Sequence, residues 1–166
     1  MTDADQAREL DELDGLWLND RSEFQQNFVH GLRNPIGLHI QYRLEERLVV
    51  GDWTADERHV GFPGVVHGGL LAAILDDVMG RWSAMRHRWV VTARMETRFR
   101  VPAPVGVALR IEAWVTRERT RTLQAESRIL LPDGAVVVEA TATYLAITGA
   151  LRERMVAAWP GFAGFA

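Results

Sequence analysis

The stretch Gly61-Phe-Pro-Gly-Val-Val-His67-Gly68-Gly69-Leu-Leu-Ala-Ala-Ile-Leu-Asp76-Asp77-Val-Met-Gly80 turns a glycine-rich loop into an apolar helix carrying two adjacent carboxylates. Glycines at a helix start leave backbone N–H groups unshielded. Those donors, with the positive end of the helix dipole, can hold an oxyanion. A carboxylate on a mostly apolar helix is costly without a partner or a task. Donors and a carboxylate on one rigid element are the ingredients of acyl-transfer chemistry. The helix is predicted to begin at His67 or Gly68. Small and aliphatic residues cover every side of its first turns, which predicts burial within its own domain. His87 and Arg88 predict its end, where cations complement the dipole.

Working outward, the periodicity changes from helical to alternating. Leu38, Ile40, Tyr42 and Leu44 share one phase and His39, Gln41, Arg43 and Glu45 the other, predicting a half-buried strand. A second strand is predicted over Leu48 to Trp53. Beyond the helix, four strand-like runs (90–101, 107–119, 123–131 and 135–148) follow without another helical period, and Pro132-Asp-Gly134 predicts a hairpin turn between the last two. A long antiparallel meander with one buried helix predicts an α+β architecture in which the sheet wraps the helix. Residues 3–13 predict a short amphipathic helix stopped near Gly15. The expected organisation is a helix and irregular lead-in over 1–33, one domain over 34–148 and a tail over 149–166.

Composition narrows the chemistry. The 166 residues suit one domain with a genuine core. With no cysteine, disulfides, thiolate catalysis and Cys-ligated metals are excluded. Every basic residue outside histidine is Arg, which removes lysine bases and Schiff-base mechanisms. The net charge of −3 argues against a general nucleic-acid partner. The apolar runs are too short for a bilayer and the acidic start lacks signal-peptide order, so a cytoplasmic protein without a membrane partner is expected. The remaining histidines show no metal-ligand spacing, and no metal is expected.

The two carboxylates separate by their neighbours. Asp77 has Arg81 four residues on, the spacing of an i,i+4 ion pair. Asp76 has Ala72, Ala73, Met79 and Gly80 and no cation, so it is expected to be the desolvated carboxylate suited to general-base or nucleophilic work. The dipole biases His67 towards its neutral form, which points to substrate positioning and away from proton transfer. By strict alternation Thr92 shares a face with Arg94, Glu96, Arg98 and Arg100, away from the apolar face of Val91, Ala93, Met95 and Phe99.

An antiparallel sheet around one helix, entered through Gly64-Val-Val-His67-Gly68-Gly69, resembles the hotdog fold. In detail it resembles the phenylacetate-pathway (PaaI-like) branch of hotdog acyl-CoA thioesterases. The likeness is carried by Asn34-Pro-Ile-Gly37-Leu38, the His-Gly-Gly turn, Asp76 nine positions after His67, Thr92, and the run from Arg94 to Pro104. It implies Asp76 as nucleophile or general base and the Gly68 N–H as oxyanion donor, with Gly69 close by. It places His67 along the thioester and Thr92 beside the attacking water. Val66 and Gly69 are expected to contribute to the substrate surface. Arg98 and Arg100 are candidates to grip coenzyme A phosphates, guanidinium being matched to phosphate. Several members carry Asn six residues before the histidine, where this chain has Gly61. No dissociable cofactor is implied, coenzyme A being part of the substrate. The expected partners are an acyl-CoA and a second copy, as a homodimer or dimer of dimers. Thioesters on carrier proteins, or a non-catalytic acyl-CoA binding or sensing module, are the rival functions.

Overall fold

The computed structural model describes residues 25–85 and 88–159. The predicted helix over 3–13, His87 and the end of the tail lie outside them. Among the described residues eight strands and two α-helices follow in chain order, besides a short 3-10 turn at Glu57–His59: β1 (Tyr42–Glu45), β2 (Leu48–Thr54), β3 (Val60–Phe62), β4 (Val65–Val66), α1 (Gly68–Met85), β5 (Val90–Phe99), β6 (Ala108–Glu118), β7 (Thr122–Leu130), β8 (Val136–Ala146) and α2 (Gly149–Ala158). Six strands form one antiparallel sheet in the order β1-β2-β6-β7-β8-β5, and β3 and β4 make a separate small hairpin.

Alternation explains why the sheet can hold a helix. Leu109, Ile111 and Ala113 of β6, Leu123, Ala125 and Ile129 of β7, and Val138, Ala140, Ala142 and Tyr144 of β8 are all buried on one face. Leu71, Ile74, Leu75, Val78, Met79 and Trp82 of α1 meet them in a single core. Fully burying each such aliphatic side chain contributes about 1.5–3 kcal/mol. The first strand pairs with β2 only from Tyr42, yet the predicted burial phase already holds at Leu38 and Ile40, whose N–H groups are donated to the Phe28 and Val29 carbonyls. The turn at Pro132-Asp-Gly134 forms, with Gly134 at φ +86° and the Asp133 carboxylate accepting the Ala135 N–H.

Helix α1 departs from the expectation of burial on all sides. Ala72, Ala73, Asp76, Gly80 and Ala84 stay half-buried along one side, because the sheet covers only the opposite face. That side carries small residues around Asp76.

A second departure decides the site. Thr92 pairs with Tyr144, but the next registered pair is Arg94 with Thr143, so Ala93 is an extra residue in β5. Such a bulge shifts the side-chain phase by one. Thr92 therefore shares the helix-facing side with Tyr144, whereas Arg94, Glu96 and Arg98 lie on the outer face. Strict alternation had assigned all four to one face.

Candidate functional site

Helix α1 begins where His67 turns the chain. The His67 carbonyl accepts the Leu70 and Leu71 N–H groups, which makes it the N-cap, and its own N–H is donated to the His59 carbonyl at 2.8 Å. The imidazole Nδ1 accepts the Gly69 N–H at 2.9 Å. Nδ1 is thus an acceptor, and the ring proton sits on Nε2 of the exposed side chain. Gly69 is committed to this cap, which leaves the Gly68 N–H as the helix-start donor without an acceptor among the described residues. The Phe99 ring closes over Gly68, where an added Cβ would stand 3.3 Å from it. Val66 is a core residue, 3% exposed, tied through its N–H to the Ala103 carbonyl.

Gly61 is small for a reason legible only in three dimensions. A Cβ there would lie 2.9 Å from the His67 Cα, a clash with backbone. Close packing against His67 therefore favours glycine at this position, where the resemblance led to an expectation of Asn.

Two turns into α1 the carboxylates face different surroundings. Asp77 is the deeply buried one, its side chain 9% exposed, which reverses the sequence expectation that Asp76 is the more desolvated. It accepts from His30 Nδ1 at 2.9 Å and from Asn27 at 3.2 Å, and Arg81 lies 3.9 Å away at the predicted i,i+4 spacing. Arg81 Nη1 in turn lies 3.1 Å from His30 Nε2, so His30 is a neutral ring that donates from Nδ1. Burial acts to raise Asp77, but Arg81, His30 and Asn27 outweigh it and hold the carboxyl below its ordinary range. His30 is shifted down, chiefly by burial with the Arg81 charge adding to it, against the hydrogen bond it donates to Asp77. Neither His30 nor Asn27 stood out in the sequence, because both come from the lead-in loop some fifty residues earlier.

Asp76 is half-buried and accepts two hydroxyl hydrogen bonds on Oδ1. Thr92 Oγ1 donates at 2.8 Å and the Tyr144 hydroxyl lies at 3.0 Å, also 3.0 Å from the Asp76 carbonyl. A cavity of about 150 Å³ opens beside it, lined by Gly80, Trp89, Thr92 and Tyr144. The structure thus brings Thr92 to Asp76, and adds Tyr144, which strand periodicity marks only as core. Arg98 stands opposite Glu139 on the outer sheet face, and Arg100 is ion-paired with Glu139. Phe99 between them packs at Gly68, so both arginines sit at the end of the sheet where α1 starts. Among the described residues, no cluster of His, Asp or Glu could hold a metal ion, and no helix is long and apolar enough to cross a membrane.

A six-stranded antiparallel sheet with one helix packed on its inner face is the hotdog architecture. The model of the thioesterase superfamily matches residues 63–138, the segment that holds the helix start, both carboxylates and Thr92. A thioesterase-superfamily protein of known crystal structure is 26% identical with a TM-score of 0.69, over 73% of this chain and 60% of its own. The chain therefore spans 60% of that relative's length. A phenylacetic acid degradation-related protein from Ralstonia eutropha JMP134 is 26% identical with a TM-score of 0.59, over 65% of this chain and 85% of that one. A hypothetical thioesterase from Streptococcus pneumoniae TIGR4, crystallised with coenzyme A, shares the fold at 20% identity and a TM-score of 0.60, over 64% and 83% of the two chains. No curated protein sequence matches the chain.

Proposed function

We propose that the protein hydrolyses acyl-CoA thioesters to a free acid and coenzyme A. The observation that carries this reading is the pairing of a free Gly68 N–H at a helix start with a hydroxyl-held Asp76 carboxylate on the same helix. The thioester carbonyl sits at Gly68, whose N–H and helix dipole stabilise the developing oxyanion. Asp76 removes a proton from water as the water oxygen bonds to the carbonyl carbon. Collapse of the tetrahedral intermediate breaks the C–S bond, and the departing thiolate takes up the proton. Direct attack by Asp76, followed by hydrolysis of the mixed anhydride, uses the same groups. His67 Nε2–H is a further donor along the thioester, and coenzyme A enters as substrate.

The reading requires a second copy of the chain. Gly68 and Asp76 are eight residues apart on one helix, hence about 12 Å at 1.5 Å per residue. One carbonyl cannot meet both. Two features support a partner: among the described residues β5 is an edge strand of ten residues paired on one side only, and the small-residue side of α1 is only half-buried. The protein then acts as a homodimer or dimer of dimers, each site combining Gly68 of one copy with Asp76 of another.

The test is thiol release from short, long and aromatic acyl-CoAs and from acyl carrier protein thioesters. Turnover of at least one acyl-CoA by the wild type, with most of it lost in Asp76→Asn, supports the reading. Turnover of carrier-protein thioesters alone would replace coenzyme A as the carrier. Binding without turnover would make the chain a non-catalytic module.

A further inference from the structure

Asp76 accepts two donors, and both reach the same oxygen. Thr92 and Tyr144 are register partners on β5 and β8, and the extra residue Ala93 turns the Thr92 side chain to the helix face beside the Tyr144 ring. Their hydroxyls stand 2.8 and 3.0 Å from Asp76 Oδ1. The Tyr144 hydroxyl also stands 3.0 Å from the Asp76 carbonyl, so one group ties the carboxylate to its own backbone. Oδ2 accepts no hydrogen bond from the described residues, and Asp76 lines the cavity that Gly80 and Trp89 help to form.

We propose that Tyr144 is a positioning residue that, with Thr92, pins Asp76 through Oδ1 and leaves Oδ2 as the oxygen that meets water or the thioester carbon. This rests on the hydrolase reading given above. Tyr144 is suited to the task because it is 2% exposed and its ring is held in the core. Burial, then the charge of Asp76, drive its phenol far above the ordinary tyrosine range, so it remains an O–H donor and takes no part in proton transfer. A carboxylate free to rotate about χ2 would spend part of its time with neither oxygen aimed at the reacting atom. Misplacement by about 1 Å can cost about 100-fold in rate.

Tyr144→Phe removes the hydroxyl and keeps the ring. With the acyl-CoA turned over best by the wild type, kcat is expected to fall about 10- to 100-fold with KM changed less than twofold, at an unchanged circular dichroism spectrum. In an Asp76→Asn background the same substitution is expected to cost nothing further, because Tyr144 acts only through that carboxylate. Wild-type kcat in Tyr144→Phe, a rise in KM alone, or an equal loss in both backgrounds would overturn the proposal. If Tyr144→Phe does not fold, Thr92→Val tests the same pin from a solvent-exposed strand position, and full kcat there overturns it. Absence of any wild-type thioester turnover would overturn the hydrolase reading itself, and this inference with it.

Discussion

His67 Nδ1 accepts the Gly69 N–H at 2.9 Å, so the histidine caps the very helix whose first free N–H belongs to Gly68. The bond sets the tautomer, and it keeps Gly69 from competing as an oxyanion donor. His67→Asn supplies another N-cap acceptor but no ring donor, whereas His67→Ala supplies neither. Thermal unfolding is expected to show the alanine variant about 1 kcal/mol less stable and the asparagine variant near wild type. Both are expected to lose turnover. Full activity in His67→Asn would remove the ring from contact with the thioester.

The adjacent carboxylates should separate cleanly in a urea titration. Asp77→Ala removes the buried carboxylate to which His30 and Asn27 donate and with which Arg81 pairs, and is expected to cost about 3–5 kcal/mol. Asp76→Ala leaves the Tyr144 hydroxyl its second acceptor, the carbonyl of residue 76, and is expected to stay within about 1 kcal/mol of wild type. Similar losses for both would mean that Asp76 is structural.

The buried network makes stability pH-dependent. His30 binds its proton less readily when folded than its ordinary value of 6.5, so the unfolded chain takes up a proton first as pH falls. The stabilisation is complete above that value and is lost below it, down to the folded-state value. Asp77 has the same sign in a lower window: its carboxyl is held below 3.8, so its contribution persists above the ordinary carboxylate range and disappears on further acidification. The melting temperature is expected to fall between about pH 7 and 5 in the wild type. His30→Gln should flatten that slope. An unchanged slope would assign it to other groups.

Gly61→Asn introduces the residue that the family resemblance leads one to expect at this position, and here it is expected to do harm. Its Cβ would stand 2.9 Å from the His67 Cα, so the cap must shift. A loss of about 1–3 kcal/mol and of turnover is expected from such overpacking. A more active Gly61→Asn enzyme would show that the loop accommodates the side chain.

A shared site predicts complementation between inactive chains. Gly68→Pro deletes the proposed donor at the first helical position, where proline is tolerated, and the Phe99 ring must yield slightly. Gly68→Ala keeps the N–H and controls for that contact. Co-refolded Gly68→Pro and Asp76→Asn chains are expected to recover about a quarter of wild-type activity, half of random pairs being mixed and each holding one intact site. Failure to recover activity in mixed dimers would place the whole site in one chain.

Much of this protein is determined by local pattern. Alternation from Leu38 to Leu44 and along the last four strands, a glycine-entered helix and the 132–134 turn are legible because neighbours along the chain set them. The likeness around His67 to Gly69 and Asp76 pointed to the hotdog class, and the i,i+4 rule paired Asp77 with Arg81. What lies beyond one element was decided by tertiary structure. His30 and Asn27 reach Asp77 across some fifty residues and make it the buried carboxylate. A single inserted residue, Ala93, reverses the phase of β5, so no strict period could bring Thr92 to Asp76. Tyr144 reads as one more core aromatic until its hydroxyl is seen on Asp76 Oδ1. Periodicity reports which face a side chain takes within an element; which atoms it then meets depends on register and packing between elements.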